Sequence, residues 1–216
     1  MTKHVVTKKR VMDHGEVYTR EREVNVMLDL VKQETQRIES RFLEPACGTG
    51  NFLIEILRRK LGVVESRYKR SQAEYERYAF LTVSSIYGID VLEDNVSICR
   101  NRLFGLAQEN YTSLYKGKTN NEFFTAIKYL LAHNILWGDA LTLKTPANNP
   151  EPIVFSEWSA VNRFLIKRRD FVFAELVSHA SLSELPLFSD LGDDVFIPKP
   201  VKDYPPKHFL RLTDAE

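Results

Sequence analysis

The chain has 216 residues, 44% of them hydrophobic and 27% charged, which is typical of a globular protein with one sizeable core. Its formal net charge of +1 excludes nucleic-acid binding through overall charge, so local basic clusters would have to make such contacts. The two cysteines, Cys47 and Cys99, form no Cys-x-x-Cys pair and indicate no disulfide framework.

The sequence carries no signal for export or membrane insertion. The first ten residues lack a long apolar core, and no run of about 18 apolar residues occurs. The five histidines show no metal-binding spacing. We therefore expect a cytoplasmic protein with no membrane span and no metal site.

Apolar periodicity predicts alternating helices and strands along the chain. The predicted elements, in order, are a basic arm over residues 1–13, a helix over Arg22–Ile38, a strand over Arg41–Ala46, a helix over Asn51–Leu61, a polar helix-prone segment over Val63–Val83, a strand over Ser85–Asp90, helices over Glu93–Ala107 and Phe123–Ala132, a strand over Asn134–Asp139, and a C-terminal β-hairpin of Ile153–Val161 with Phe164–Leu176. This order predicts an α/β fold with a mostly parallel sheet. The main domain is expected over residues 14–184, followed by a proline-rich irregular tail over residues 185–216.

The most informative segment is Arg41–Leu53, which reads Arg-Phe-Leu-Glu-Pro-Ala-Cys-Gly-Thr-Gly-Asn-Phe-Leu. A glycine turn between a strand and a helix lets a ligand lie against bare backbone near the helix N-terminus. A phosphate-binding P-loop fits this segment less well, because Gly50 is followed by Asn51 and not by lysine. A dinucleotide fingerprint also fits less well, because its third glycine position holds Leu53.

Three acidic residues follow or end the predicted parallel strands: Glu44, Asp90 and Asp139. Ligands of open α/β sheets bind beyond the carboxyl ends of the strands, so these residues and the glycine turn should share one edge. Each acid also has a structural alternative. Asp90 could cap the helix that follows it, Asp139 could stabilise a turn, and Glu44 could be a surface acid.

The order Glu-Pro-Ala-Cys-Gly-Thr-Gly-Asn-Phe resembles the S-adenosylmethionine loop of the adenine-N6 DNA methyltransferases. The upstream segment His14-Gly-Glu-Val-Tyr-Thr19 resembles the segment that lines the methionine end of the cofactor in the γ-type members of that family. One departure is Arg20, where the family usually has proline. The resemblance implies a Rossmann-like S-adenosylmethionine-dependent methyltransferase fold, here in a truncated form, related to restriction-modification systems.

The resemblance also implies a cofactor role for particular residues. Asp90 would accept the ribose hydroxyls, Asp139 the adenine amine, and Glu44 would face the methionine amino group. The implied cofactor-binding residues are Val17, Tyr18, Thr19, Glu44, Pro45, Ala46, Gly48, Gly50, Asp90, Val91, Asp139 and Ala140.

The family's catalytic motif, Asp/Asn/Ser-Pro-Pro followed by an aromatic residue, does not occur in this chain. That motif accepts both hydrogens of the target amine and stacks a ring on the flipped base. Asp203-Tyr-Pro-Pro has the wrong order, and it lies in the predicted tail. Ser156 and Trp158, which end a β-like run, offer an oxygen and a ring but no prolines, so they are weak catalytic candidates.

Three hypotheses for the function follow. The chain could be a DNA methyltransferase, a catalytically silent cofactor-binding subunit beside a complete enzyme, or a methyltransferase that acts on RNA or protein. DNA is the expected substrate, and a protein partner would supply target recognition. The candidate nucleic-acid contacts are the basic clusters at residues 8–10, 58–60, 67–70 and 167–169, some of them interleaved with tyrosines.

Overall fold

A computed structural model describes residues 19–183 and 198–214 of the chain. The predicted basic arm, Val17, Tyr18 and the first part of the predicted tail lie outside these residues. Of the upstream segment, Thr19 alone is described.

The described residues form helices on a parallel sheet, with a second, antiparallel sheet beside it. The helices are α1 (Glu21–Leu30), α2 (Lys32–Thr35), α3 (Asn51–Tyr68), α4 (Gln72–Ser84), α5 (Glu93–Leu114), α6 (Asn121–Asn134) and α7 (Phe173–Ser183). The strands are β1 (Phe42–Glu44), β2 (Ile86–Asp90), β3 (Ile135–Trp137), β4 (Val154–Ala160), β5 (Leu165–Val172), β6 (Lys202–Asp203) and β7 (Lys207–His208).

The parallel sheet has the order β1-β2-β3, with Phe42 opposite Ile86 and Gly88 opposite Ile135. Every residue of β2 is buried, as expected for a parallel strand covered on both faces. The prediction of an α/β fold with parallel strands is confirmed for these three strands.

Helix α3 packs against the sheet through an apolar face that is longer than the sequence predicts. Leu53, Leu57, Leu61 and Val64 recur at helical spacing and are at most 1% exposed. The helix therefore continues past the predicted end at Leu61 to Tyr68. Residues 69–71 separate α3 from α4. The Ser71 hydroxyl accepts a hydrogen bond from the Glu74 N–H and thereby caps α4.

The second sheet is antiparallel and separate from the parallel one, and its strands β4 and β5 lie in the segment where the sequence predicts a C-terminal β-hairpin. Strands β4 and β5 pair from Val154 opposite Val172 to Ala160 opposite Ile166. The second predicted strand ends at Val172, and Phe173 begins α7 instead of continuing the strand to Leu176.

Residues 198–214, predicted to be irregular, are partly ordered against β5. Both β6 and β7 pair with β5, and the buried Phe209 and Leu212 join the core formed by the helices. Nearby prolines remove backbone donors, which keeps both strands short. Within residues 19–183 and 198–214, none of the helices combines the length and hydropathy needed to cross a membrane.

Candidate functional site

The three turns that follow the parallel strands meet along the carboxyl edge of the sheet. The Cys47 N–H donates to the Ile89 carbonyl at 2.8 Å, and the Gly138 N–H donates to the Asp90 carbonyl at 3.0 Å. These bonds join the glycine turn to the end of β2, and the end of β2 to the turn after β3. The structure therefore places the glycine turn, Asp90 and the Asp139 turn next to one another, at the edge where α/β sheets bind ligands.

The glycine loop, residues 48–50, depends on both of its glycines. Gly48 and Gly50 have φ angles of +52° and +88°, in the left-handed region that side chains disfavour. A Cβ atom on Gly50 would also lie 2.6 Å from Cys99 Sγ of α5. The loop leads into α3 at Gly50, which has no side chain that could cap the first-turn N–H groups of α3.

Asp90 connects the glycine loop to the start of α5. Its Oδ2 accepts the Gly48 N–H at 2.7 Å, and its Oδ1 accepts the Leu92 N–H at 2.9 Å and the Asn95 amide at 3.2 Å. A carboxylate offers about four acceptor positions, so one position remains beyond these three bonds. The structural role considered for Asp90 is therefore present, and it leaves acceptor capacity for a ligand.

Asp139 stabilises the turn after β3. Its Oδ1 accepts the Leu141 N–H at 2.9 Å and its Oδ2 accepts the Thr142 hydroxyl at 3.0 Å. The Leu141 N–H, more than the Thr142 hydroxyl, lowers the pKa of Asp139 below its ordinary value. Ala140 is partly exposed beside it. This acid is ionised and open to solvent, so a ligand amine can reach it.

Glu44 ends β1 on the same edge and is partly buried. Burial raises its pKa, and the Ala46 N–H opposes that shift. Pro45 and Ala46 are exposed, as is Val91, whose carbonyl accepts the Trp137 indole N–H at 3.0 Å. Within the described part of the chain, no group of three or more histidine, cysteine or acidic side chains is arranged to hold a metal ion.

Two polar residues that contact the loop were not predicted from the sequence as site residues. Arg102 of α5 donates to Thr49 and to Asn51, and Asn51 donates to the carbonyl of Thr19. The only sequence signal for Arg102 is its spacing of three residues from Cys99, which places both on one face of a helix.

The weak catalytic candidates Ser156 and Trp158 are buried in β4, where each side chain donates a hydrogen bond to another residue of the protein. The Ser156 hydroxyl donates to Asp170 Oδ1 at 2.7 Å. The Trp158 indole donates to Asn134 Oδ1 at 2.8 Å. The polar atom of each side chain is thus engaged inside the protein, and the tryptophan ring packs against α6 through Tyr129 and His133.

Two of the basic clusters are neutralised by neighbouring acids. Arg59 pairs with Asp29 at 2.9 Å and with Glu55 at 3.0 Å, and Arg58 also pairs with Glu55. Lys60, the third member of that cluster, is fully buried. In the other cluster each residue pairs with an acid, in the pairs Lys167–Asp203, Arg168–Asp170 and Arg169–Glu157.

The cluster at residues 67–70 lies far from the loop. Sixteen residues of α3 separate Asn51 from Arg67, which corresponds to about 24 Å along a helix. The nearby rings of Tyr68 and Tyr78 stack on each other, with centroids 3.7 Å apart, and Arg77 lies over Tyr78. The two tyrosine rings therefore stack on each other. Because of its distance from the loop, the cluster cannot contact a nucleotide bound there. The cluster at residues 8–10 lies outside the described residues.

One of the comparisons with known proteins identifies a family. No curated protein and no solved structure matches the chain. The family model for the MmeI DNA-methyltransferase domain matches residues 18–151, which is more than half of the chain. The match begins just before α1 and includes the glycine loop, Asp90 and the Asp139 turn. The chain therefore belongs to the MmeI DNA-methyltransferase domain family, a family of restriction-modification DNA methyltransferases.

Proposed function

We propose that the chain binds S-adenosylmethionine at the carboxyl edge of β1, β2 and β3, as a DNA methyltransferase-like domain of the adenine-N6, γ-type class. The proposed fold is Rossmann-like, with these three parallel strands as its cofactor-binding half. The observation that carries the proposal is the direct bond from Gly48 to Asp90, which joins the two motifs expected to hold the cofactor.

The residues at this edge fit the chemistry of the cofactor. Asp90 has acceptor capacity left for a ribose hydroxyl, and Asp139 is an ionised acceptor for the adenine amine. Glu44, with Thr19 on the upstream segment, would face the methionine end. The loop backbone at Gly48 and Gly50, where no Cβ is tolerated without strain, gives a ligand close access to the N-terminus of α3.

When bound, the cofactor supplies an electrophilic methyl group, and the residues of this chain orient it. Methyl transfer to an adenine amine also needs acceptors for the amine hydrogens and a ring that stacks on the base. Ser156 and Trp158 are engaged with Asp170 and Asn134, so they do not offer these groups in this structure. The proposed cofactor site therefore lacks, among the described residues, the acceptor groups that the target base needs.

Titration calorimetry tests the proposal. Wild-type protein should bind S-adenosylmethionine or its demethylated product with micromolar affinity, which corresponds to about 8 kcal/mol. Asp203→Ala, in the antiparallel sheet, serves as a control acid that should leave this affinity unchanged. Absence of heat, together with absence of a thermal shift at millimolar cofactor, would refute cofactor binding.

A second candidate function is that of a cofactor-binding subunit completed by a partner. Within residues 19–183 and 198–214, β1 pairs on one side only, with β2. Leu43 of β1 is exposed, and β1 adjoins an apolar cavity of about 220 Å³, which Tyr87, Phe155 and Phe173 help to line. An open edge of this kind can accept a further strand beside the glycine loop. Methyl transfer that appears only when a partner polypeptide is added would favour this candidate.

A further inference from the structure

Helix α5 supports the glycine loop at two points that lie one helical turn apart. The first point is Cys99, which is fully buried with its sulfur directly beneath Gly50. The second is Arg102, three residues later on the same face of the helix. Asp90 holds Gly48 from a third side, so each residue of the loop is fixed by a contact from β2 or α5.

Arg102 makes its loop contacts through a single nitrogen. Its Nη1 donates to the Thr49 carbonyl at 2.6 Å, to Asn51 Oδ1 at 2.9 Å and to the Thr49 hydroxyl at 3.1 Å. Within residues 19–183 and 198–214, the hydrogen bonds of Arg102 all go to these two residues, and no acidic side chain pairs with it. In this part of the chain, the charge of Arg102 is thus directed at the loop.

Asn51 connects Arg102 to the segment that precedes α1. While its Oδ1 accepts from Arg102, its Nδ2 donates to the Thr19 carbonyl at 3.0 Å. Arg102, Asn51 and Thr19 therefore form one chain of hydrogen bonds that joins α5, the glycine loop and the upstream segment. The residues it joins are 32 and 51 positions apart in the sequence.

We propose that Arg102 is a positioning residue of the cofactor site, holding the glycine loop and, through Asn51, the Thr19 segment in the arrangement that binds ligand. The inference rests on the proposed function, because it assigns the arrangement to S-adenosylmethionine. A loop with two glycines at positive φ has few side chains of its own to fix it, so it needs bonds from outside. Charge-assisted hydrogen bonds are about twice as strong as neutral ones, and a preformed loop lowers the cost of ordering on binding.

Arg100 provides a matched control on the same helix. It donates to the Ile135 carbonyl at 2.9 Å and to the Ala132 carbonyl at 3.1 Å, where α6 meets β3. Both arginines thus lie on α5, are partly buried and bind backbone carbonyls, but only Arg102 touches the loop. If ligand affinity differs between the Arg102 and Arg100 variants, the difference is due to the loop contact and not to the loss of a guanidinium from α5.

The test measures the affinities of S-adenosylmethionine and of 5′-methylthioadenosine, which lacks the amino-acid end, for Arg102→Ala, Arg102→Lys and Arg100→Ala. Arg102→Ala should weaken S-adenosylmethionine binding roughly tenfold to hundredfold, as expected for lost charge-assisted bonds. The loss should be smaller for 5′-methylthioadenosine, since Thr19 serves the methionine end. Arg102→Lys should recover part of the affinity, and Arg100→Ala should stay within about twofold of wild type while its melting temperature falls.

Amide hydrogen exchange without cofactor separates this inference from the proposed function. Residues 49–51 should exchange faster in Arg102→Ala than in wild type or Arg100→Ala. Unchanged affinity in a folded Arg102→Ala protein, or equal losses in both alanine variants, would overturn the positioning role. If Arg102→Ala does not fold, Arg102→Lys and Asn51→Ala carry the same comparison. If wild type binds no cofactor while Arg102→Ala still loosens the loop, the choice of ligand is overturned and the structural link remains.

Discussion

Asp90 and Gly48 are joined by a hydrogen bond of 2.7 Å from the Gly48 N–H to the carboxylate, although 42 residues separate them in the sequence. The same carboxylate receives the Leu92 N–H and the Asn95 amide at the start of α5. One buried acid therefore fixes both the loop and the helix that supports it. Its substitution should affect stability and ligand binding together.

Asp90→Ala should weaken S-adenosylmethionine binding by about 2–3 kcal/mol, because a charge-assisted bond to a ribose hydroxyl is lost together with the bond that holds Gly48 of the loop. It should also lower the free energy of unfolding by roughly 1–3 kcal/mol, because the Gly48 N–H and the Asn95 amide lose their acceptor. Calorimetry and chemical denaturation measure the two effects.

Asp139→Ala is the comparison for Asp90→Ala and should cost less affinity, since it removes one bond to the amine without releasing the glycine loop. A folded Asp90→Ala protein with wild-type affinity would restrict Asp90 to its structural contacts with the loop and α5.

Gly50→Ala should destabilise the protein by about 1–3 kcal/mol through backbone strain, because Gly50 has a φ of +88°. The new Cβ would also lie 2.6 Å from Cys99 Sγ, which adds to the loss. Gly62→Ala is the control, because Gly62 is exposed within α3 and a Cβ there meets no atom within 4 Å. Gly62→Ala should stabilise the protein by about 0.5–1 kcal/mol. Thermal and urea unfolding of both variants test the pair.

Adding Cys99→Ala to Gly50→Ala should restore part of the lost stability, since it removes the clash and leaves the backbone strain. A Gly50→Ala protein as stable as wild type would show that the loop relaxes freely, against the tight contact with α5.

Lys60 should make stability depend on pH. Its ammonium donates to the Ile38 and Ser40 carbonyls and to the Ser85 hydroxyl, and burial lowers its pKa to about 7. An unfolded lysine has a pKa of about 10.4, so between these values the folded protein binds fewer protons than the unfolded chain. The free energy of unfolding should therefore rise with pH, by up to about 1.4 kcal/mol per unit.

Urea denaturation of wild type and Lys60→Met at pH 7, 8 and 9 measures this dependence. Lys60→Met should lack the rise because it carries no titrating group at this position. Parallel curves for the two proteins would mean that the three acceptors keep Lys60 fully protonated throughout this range.

Ser156→Ala and Trp158→Phe should reduce stability by about 1 kcal/mol each and leave cofactor affinity unchanged, because their bonds to Asp170 and Asn134 are structural. Asp170 keeps two bonds from Arg168 in the serine variant, which limits the loss. If a partner polypeptide makes the wild-type protein active, loss of that methyl transfer in Ser156→Ala without any change in melting temperature would instead assign Ser156 a role in catalysis.

The purified chain should transfer methyl groups to DNA very slowly or not at all. The expected catalytic tetrapeptide is missing, and losing electrostatic groups of this kind costs about 10²–10³ in rate per group. Incubation with methyl-labelled cofactor and mixed DNA, with and without candidate partners, measures the rate. Rapid, sequence-specific adenine methylation by this chain alone would contradict the prediction.

The sequence alone determines the strand, glycine turn and helix that contain Gly48 and Gly50, because backbone sterics and apolar periodicity act over a few residues. The same local signals place Asp90 and Asp139 after parallel strands, and the topology of such sheets brings them to one edge. These features could therefore be predicted, and so could membership of a restriction-modification DNA methyltransferase family, which the family match over residues 18–151 confirms.

Only the tertiary structure decides contacts between residues that are distant in sequence. Local patterns could not show that Arg102 would reach Asn51, that Lys60 would be buried under the segment before β1, or that Lys167 would find Asp203. Hydrogen bonds and ion pairs depend on distances of a few ångströms, which are fixed by how helices and strands pack and not by sequence spacing. For this reason, most residues of two basic clusters that resemble nucleic-acid contacts in the sequence pair with acids of the same chain in the fold.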